Sequence, residues 1–230
     1  IGSEAGETQN GGNGNNFIGY QAGRLCTTGD DNTAIGADSP SANAALENLT
    51  TGIQNVSIGG NSQVNNDVGS KNTSVGFSAL RDLNYSTATD GFNVAVGHSA
   101  GLQVSTARRC TLLGTSAGDA ITTGEDNTIV GYLGGTYQDD LISGCCNVLI
   151  GAYNKTTTTG ANYAFGLGYD IDCEAGYFTI GEAANDIRAA HGNTTWSTVS
   201  DERVKKDIVD STVGLSFIDD LKPRTFKFKT

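Results

Sequence analysis

The stretch Gly29-Asp30-Asp31-Asn32-Thr33-Ala34-Ile35-Gly36 decides the fold, because it returns with small changes along most of the chain. Gly124-Glu125-Asp126-Asn127-Thr128-Ile129-Val130-Gly131 is a second copy, and both fit a unit G-x-x-N-x-x-[IVL]-G-x-x-A-G. Aligned on the glycine that closes the stretch, the copies place Gly2, Gly19, Gly36, Gly59, Gly76, Gly97, Gly114, Gly131, Gly151, Gly166 and Gly181, mostly about 17 residues apart. A repeat with this period settles the architecture before any local propensity does: each unit is one coil of a stack.

A helix is excluded, since each Gly or Asn inside a helical turn costs on the order of 0.5–1 kcal/mol relative to Ala. Short β-strands with tight corners remain. The residue before the marked glycine is apolar throughout: Ile18, Ile35, Ile58, Val75, Val96, Leu113, Val130, Ile150, Phe165 and Ile180. It is expected to point into the coil once per turn, with the glycine supplying a backbone conformation or close approach that a Cβ would obstruct. The small residue three places on (Ala5, Ala22, Ala79, Ala100, Ala117) suits a crowded corner. The recurrent Asn can adopt the left-handed region or bond neighbouring backbone, and stacked copies would form a hydrogen-bonded ladder. Cys110 takes the Asn place in one copy, which marks that place as sheltered.

The 230 residues include 32 Gly, 8 Phe, 1 Trp and no Met, so bulky side chains are scarce for a core. With so few per coil, a lone stack is expected to be marginal unless three chains share one core, which argues for a homotrimer. The net charge is −11, and half of the Lys and Arg fall in the last thirty residues. That balance argues against nucleic acid as a partner. No apolar run reaches the roughly 20 residues of a membrane-spanning helix. Five cysteines (Cys26, Cys110, Cys145, Cys146, Cys173) without a C-x-x-C pair read as reduced structural thiols, and Cys145 and Cys146 in a strand would face opposite ways. The opening inside a repeat, with no Met, is expected of a segment of a longer polypeptide.

Longer intervals mark places where the chain can leave the shaft: Asp38 to Thr51, Leu83 to Gly91 and Gly135 to Gly144. Tyr85, Phe92, Tyr137, Asp139 and Asp140 lie in or beside them and could stack on or hydrogen-bond a sugar, although solvated loops without a ligand would look the same. Calcium at Gly29-Asp30-Asp31-Asn32 or Gly124-Glu125-Asp126-Asn127 is conceivable if threefold symmetry gathers carboxylates. No metal or cofactor is otherwise indicated.

After the repeat, the linker 185–199 brings Trp196, and Ser200-Asp201-Glu202-Arg203-Val204-Lys205-Lys206-Asp207-Ile208 follows. With Trp196 and the run Leu221-Lys222-Pro223-Arg224-Thr225-Phe226-Lys227-Phe228, this segment resembles the C-terminal intramolecular chaperone of phage tail fibres, tailspikes and endosialidases, a self-cleaving serine-lysine peptidase family opening with W-x(n)-S-D-x-R-[LV]-K-x-[DN]-I. The resemblance implies Ser200 as nucleophile, Lys205 as general base and cleavage between Ser200 and Asp201; the lysine must be desolvated enough to be neutral. S-D-E-R is also a good helix cap by itself, with Ser200 as N-cap and Lys205 a solvated charge. The copies around Asn32, Asn55 and Asn93 resemble the parallel β-roll repeats of trimeric autotransporter adhesin heads, which are usually shorter.

The expected architecture is all-β: a parallel β-solenoid or β-roll shaft over 1–184 in a homotrimer, a linker over 185–199, and the start of a small α+β chaperone domain over 200–230. The expected function is a virion tail-fibre or tailspike segment that attaches to a host cell-surface glycan or protein receptor, in contact with other tail proteins, assembled in the host cytoplasm and extracellular when mature. A C-terminal clamp suits a repeat whose coils could pair out of step. The alternatives are a bacterial trimeric adhesin head and a glycan-degrading tailspike, the latter needing paired acids such as Asp139 with Asp140 or Glu125 with Asp126.

Overall fold

The computed structural model describes residues 2–37, 42–136, 141–193 and 195–198. Among them the regular structure is entirely β, in sixteen short strands. In chain order these are β1 (Asn16–Ile18), β2 (Thr33–Ile35), β3 (Val56–Ile58), β4 (Gly69–Ser70), β5 (Thr73–Val75), β6 (Thr89–Asp90), β7 (Val94–Val96) and β8 (Thr111–Leu113). There follow β9 (Thr128–Val130), β10 (Val148–Ile150), β11 (Lys155–Thr156), β12 (Phe165–Tyr169), β13 (Asp172–Cys173), β14 (Tyr177–Glu182), β15 (Asn185–Ala190) and β16 (Ser197–Thr198).

Ten of them (β1, β2, β3, β5, β7, β8, β9, β10, β12, β14) stack parallel in that order, one per coil, so the chain is a parallel β-solenoid. Thr33-Ala34-Ile35 pairs with Asn16-Phe17-Ile18 on one side and Val56-Ser57-Ile58 on the other, and this register repeats up the stack. At about 4.8 Å per rung, ten rungs make a ladder roughly 43 Å long. The corners are laddered too: Leu46 N–H donates to Ser62 O, Gln63 N–H to Ala79 O, and Leu80 N–H to Ala100 O.

The marked glycines form a column because successive coils touch there through backbone. Gly59 has φ +124°, and a Cβ on it would lie 2.7 Å from the carbonyl carbon and oxygen of Gly76 one coil on. Register also corrects the alignment near the end: Ile150 pairs with Leu167, so Gly168 and not Gly166 continues the column, and Phe165 holds the first strand place. The next step, from Gly168 to Gly181, is short because the corner before β14 is trimmed.

The Asn ladder exists, although Asn does not carry the left-handed turn. That conformation falls one residue earlier, at Asp31, Gln54, Lys71, Phe92, Arg109 and Asp126 (φ 52–60°). Each Asn instead points inward and bonds along the stack. The N–H of Asn32 donates to Asn15 Oδ1 (2.9 Å), that of Asn55 to Asn32 Oδ1 (2.9 Å), and that of Asn72 to Asn55 Oδ1 (3.0 Å). The amide nitrogen of Asn55 also donates to Gly69 O (2.8 Å).

The inward direction is the main correction to the sequence reading. The middle strand residue faces the interior: Ala34, Ser57, Ser74, Ala95, Leu112, Ile129 and Leu149 are fully buried. The residue before the glycine faces outward, with Ile18 46% exposed and Ile150 40% exposed. Period-2 alternation in a three-residue strand allows only one of the two to point in. Closure of the coil selects the middle one, flanked by inward Asn on one side.

Volume is balanced within and between coils. Three small strand centres meet a large corner residue (Ala34 with Leu46, Ser57 with Gln63, Ser74 with Leu80), while Ala95 shares its coil with Gly101, whose space is filled by Leu80 and Leu112 of the adjacent coils. Where the centre is large, the corner is glycine: a Cβ on Gly118 would press on Leu112 Cδ2 at 2.8 Å, and one on Gly23 on the Phe17 ring at 2.6 Å. The chain therefore fills its own interior, with Leu46, Leu49, Leu80, Leu83, Leu112, Ile121, Ile129, Leu141, Leu149 and Ile171 fully buried. A single chain thus holds apolar clusters of its own. One buried layer is polar: Ser62 Oγ and Ser74 Oγ lie 2.6 Å apart, and Gln63 Nε2 donates to Ser74 Oγ at 2.8 Å. It separates the apolar cluster around Leu46 and Leu49 from the larger one that begins at Ala79.

Residues 44–50, expected in a loop, complete an ordinary corner with Ala44, Ala45, Leu46 and Leu49 buried. At the other end, the stretch expected as a linker carries strands: β15 pairs antiparallel with β14, and β16 with β15. This hairpin covers the last parallel edge, which would otherwise offer unpaired N–H and C=O groups to another chain.

Candidate functional site

The interval between β5 and β7 is four residues longer than the 17-residue step, and the extra chain changes the surface there. Residues 86–88 are exposed, while β6 pairs parallel with β4 to make a small side sheet. Tyr85, a candidate sugar contact by sequence, is 4% exposed and packs in the core instead. Its hydroxyl donates to Ala107 O (2.8 Å) and accepts from Asn93 Nδ2 (3.0 Å). Burial pushes its phenol up to about 12, so it stays protonated.

The surface here carries an open groove of about 650 Å³ whose lining includes Thr51, Ser70, Thr89, Asp90, Phe92, Arg108 and Arg109. Phe92 is 52% exposed and sits at the left-handed corner position, φ 52°. Lys71, one coil away in the same corner column, places Nζ 5.3 Å from the ring centroid and pairs with Asp90 at 2.6 Å. On the other side Arg108 Nε meets Glu125 (2.8 Å) and Arg109 Nε meets Asp126 (2.6 Å). Hydrogen bonding from Arg108 holds the Glu125 carboxyl below its ordinary range, and Arg109 does the same for Asp126.

Those pairs bear on two sequence expectations. Glu125 and Asp126 are turned to guanidinium groups and held ionised, which ill suits them as a general acid for glycan cleavage. No cluster of three or more His, Cys, Asp or Glu that could hold a metal ion occurs among the described residues. The sequence reading identified Phe92 but missed Lys71, Asp90, Arg108 and Arg109. A signal existed: Arg108-Arg109 precedes Glu125-Asp126 by 17 residues, so one period sets opposite charges on neighbouring rungs.

Ser200, Asp201 and Lys205 lie outside the described residues, as do Tyr137, Asp139 and Asp140. Trp196 packs edge-on against Phe178 (5.7 Å), which in turn meets Phe165 (6.2 Å). Cys26, Cys110 and Cys173 are buried free thiols. Cys110 stands in the Asn ladder, donating to Gly124 O (3.3 Å), and burial pushes its thiol up to about 11. No helix among the described residues is long and apolar enough to cross a membrane.

A second surface is the outer face of the sheet. Ile18, Ile35, Ile58, Val75, Val96, Leu113, Val130, Ile150, Leu167 and Ile180 stand in one in-register column on it. Just past the glycines, exposed Tyr20, Phe77, Tyr132 and Tyr169 lie beside that column, with Phe77 stacked on His98 at 5.6 Å. No family model matches this chain, and neither does any curated protein or solved structure.

Proposed function

We propose that this chain is a shaft segment of a trimeric attachment fibre of the phage tail-fibre or tailspike kind, carried on the virion and directed at a host-surface receptor. The observation that carries the reading is the outward aliphatic column: a closed coil has no internal need for ten consecutive Ile, Val or Leu residues facing away from it. A contiguous apolar surface of this length on a polar, glycine-rich chain fits burial against further copies. The threefold state comes from the resemblance of the repeats and of the segment after Ser200. The argument for a trimer thus moves from a shared interior to a shared outer face. Residues 200–230 then begin the chaperone that aligns the chains, with Ser200 as nucleophile and Lys205 as base.

Two measurements test this. Sedimentation equilibrium of the 230-residue protein is expected to give a trimer, and Val96→Lys is expected to give monomers with an unchanged circular dichroism spectrum, since Val96 is 39% exposed within its own chain. A wild-type monomer at micromolar concentration would overturn the fibre reading. Denaturing electrophoresis of the full-length gene product should show a shortened chain for wild type and none for Ser200→Ala. Identical migration of the two would remove the autoprotease.

A further inference from the structure

We propose that the Phe92 groove is a binding site for a neutral glycan, with one sugar ring stacked on the exposed Phe92 face and its hydroxyls held by the ion pairs around it. The assignment rests on the attachment reading and gives it a contact point. Its first support is the cost of placing Phe92 where it is. The left-handed corner disfavours bulky side chains; other coils put Asp31, Gln54, Lys71, Arg109, Asp126 and Cys146 there, and Tyr163 is the other aromatic among them. Phe92 accepts that strain and gains little burial in return, being half exposed. Tyr163 shows that strain and exposure alone do not mark a site; at Phe92 they coincide with a groove and three ion pairs, and that combination points to a ligand.

The second support is the charge pattern. Residues 1–199 contain seven Lys and Arg in all, and three of them gather here: Arg108 and Arg109 line the groove and Lys71 lies over the Phe92 ring. Each is matched by a carboxylate: Lys71 by Asp90, Arg108 by Glu125, Arg109 by Asp126. The six charges cancel, so the groove has no excess cation for a uronic or sialic acid, and an anionic ligand would have to strip a cation from its partner. Hydroxyl-rich neutral sugars suit it better, because a paired carboxylate keeps a free lone pair and a guanidinium keeps unused N–H donors. Thr51, Ser70 and Thr89 add hydroxyls along the wall. A second groove, near Asn65 and Asp67, has no aromatic residue and lacks this combination.

The test presents the 230-residue protein to an array of neutral hexose and N-acetylhexosamine oligosaccharides alongside uronic- and sialic-acid oligosaccharides, with hits confirmed by saturation-transfer NMR. Binding to a neutral member is expected, weakened on the order of tenfold or more by Phe92→Ala. Tyr163→Ala, which removes a ring at the same corner position of another coil without these ion pairs, should leave binding unchanged. Asp90→Asn should weaken binding without altering the fold. Binding of acidic members only, equal loss in the Phe92 and Tyr163 variants, or no binding to any member overturns the assignment. Sedimentation of the same samples keeps this result apart from the fibre reading: a trimer that binds no sugar rejects the groove alone. A Phe92→Ala protein that loses its oligomeric state would instead make Phe92 an interface residue and reject the glycan site.

Discussion

Replacing Gly59 with alanine is expected to cost about 3–5 kcal/mol of stability, as a sum of backbone strain and overpacking that neither neighbour can relieve. Its φ of +124° is a conformation that L side chains rarely adopt. The added methyl would meet Gly76 carbonyl carbon and oxygen at 2.7 Å and Phe77 nitrogen at 3.0 Å, all of them backbone atoms. A flexible side chain could swing aside, but a ladder strand can yield only by lengthening its hydrogen bonds to both neighbours. The matching control is Gly160→Ala: its φ is not in the left-handed range, and a methyl there would find only Ser143 Oγ at 3.6 Å. Denaturant titration should place Gly160→Ala at or slightly above wild type, because alanine narrows the unfolded ensemble. If the two variants unfold at the same midpoint, the close backbone stacking described for the glycine column is wrong.

Asn55→Ala is expected to cost about 2–3 kcal/mol, for a different reason: it leaves one buried donor unpaired and removes one of two bonds at each of two buried oxygens. The Asn72 N–H loses its acceptor, Gly69 O loses a donor, and Asn32 Oδ1 loses the Asn55 amide. All of these residues are buried, so water cannot replace the lost bonds. The chain contains its own comparison in Cys110. There the thiol still donates to Gly124 O and takes a backbone hydrogen bond from Asn127, so one weak group covers part of what the amide does. Asn55→Cys is therefore expected to fall between wild type and Asn55→Ala in thermal unfolding. Equal loss for Cys and Ala would mean that the ladder stabilises through shape and not through hydrogen bonds.

Both predictions concern residues that the sequence made conspicuous. Gly59 and Asn55 recur at fixed places because their requirement is local and nearly the same in every coil, so a single chain displays the glycine about ten times and the Asn seven. The apolar positions were harder to read. Val96 and Leu113 carry the strongest apolar periodicity, yet they face out, while the interior is built from a variable set: Ala34, Ser57, Ser74, Ala95, Leu112 and Ile129. Their volumes vary because each is matched to a corner residue in its own or an adjacent coil, and a pattern search rewards constancy, not compensation. The groove shows the same division. Phe92 stood out as an aromatic beside an insertion, whereas Tyr85 beside it looked equally available and is buried. Lys71 reaches Phe92 only because corners stack one rung apart.

What the sequence by itself determined is the coil: its period, its β character, the glycine column and the Asn ladder. These follow from backbone conformation and backbone hydrogen bonding, which each residue carries with it wherever it goes. Only the tertiary structure decided which side of the strand is interior, and hence that the aliphatic column is a surface and the Phe92 corner a groove. A strand's two faces are chemically equivalent until the coil closes, and closure is a property of the whole turn: inward Asn, tight corner and facing side chains must fit one limited volume together.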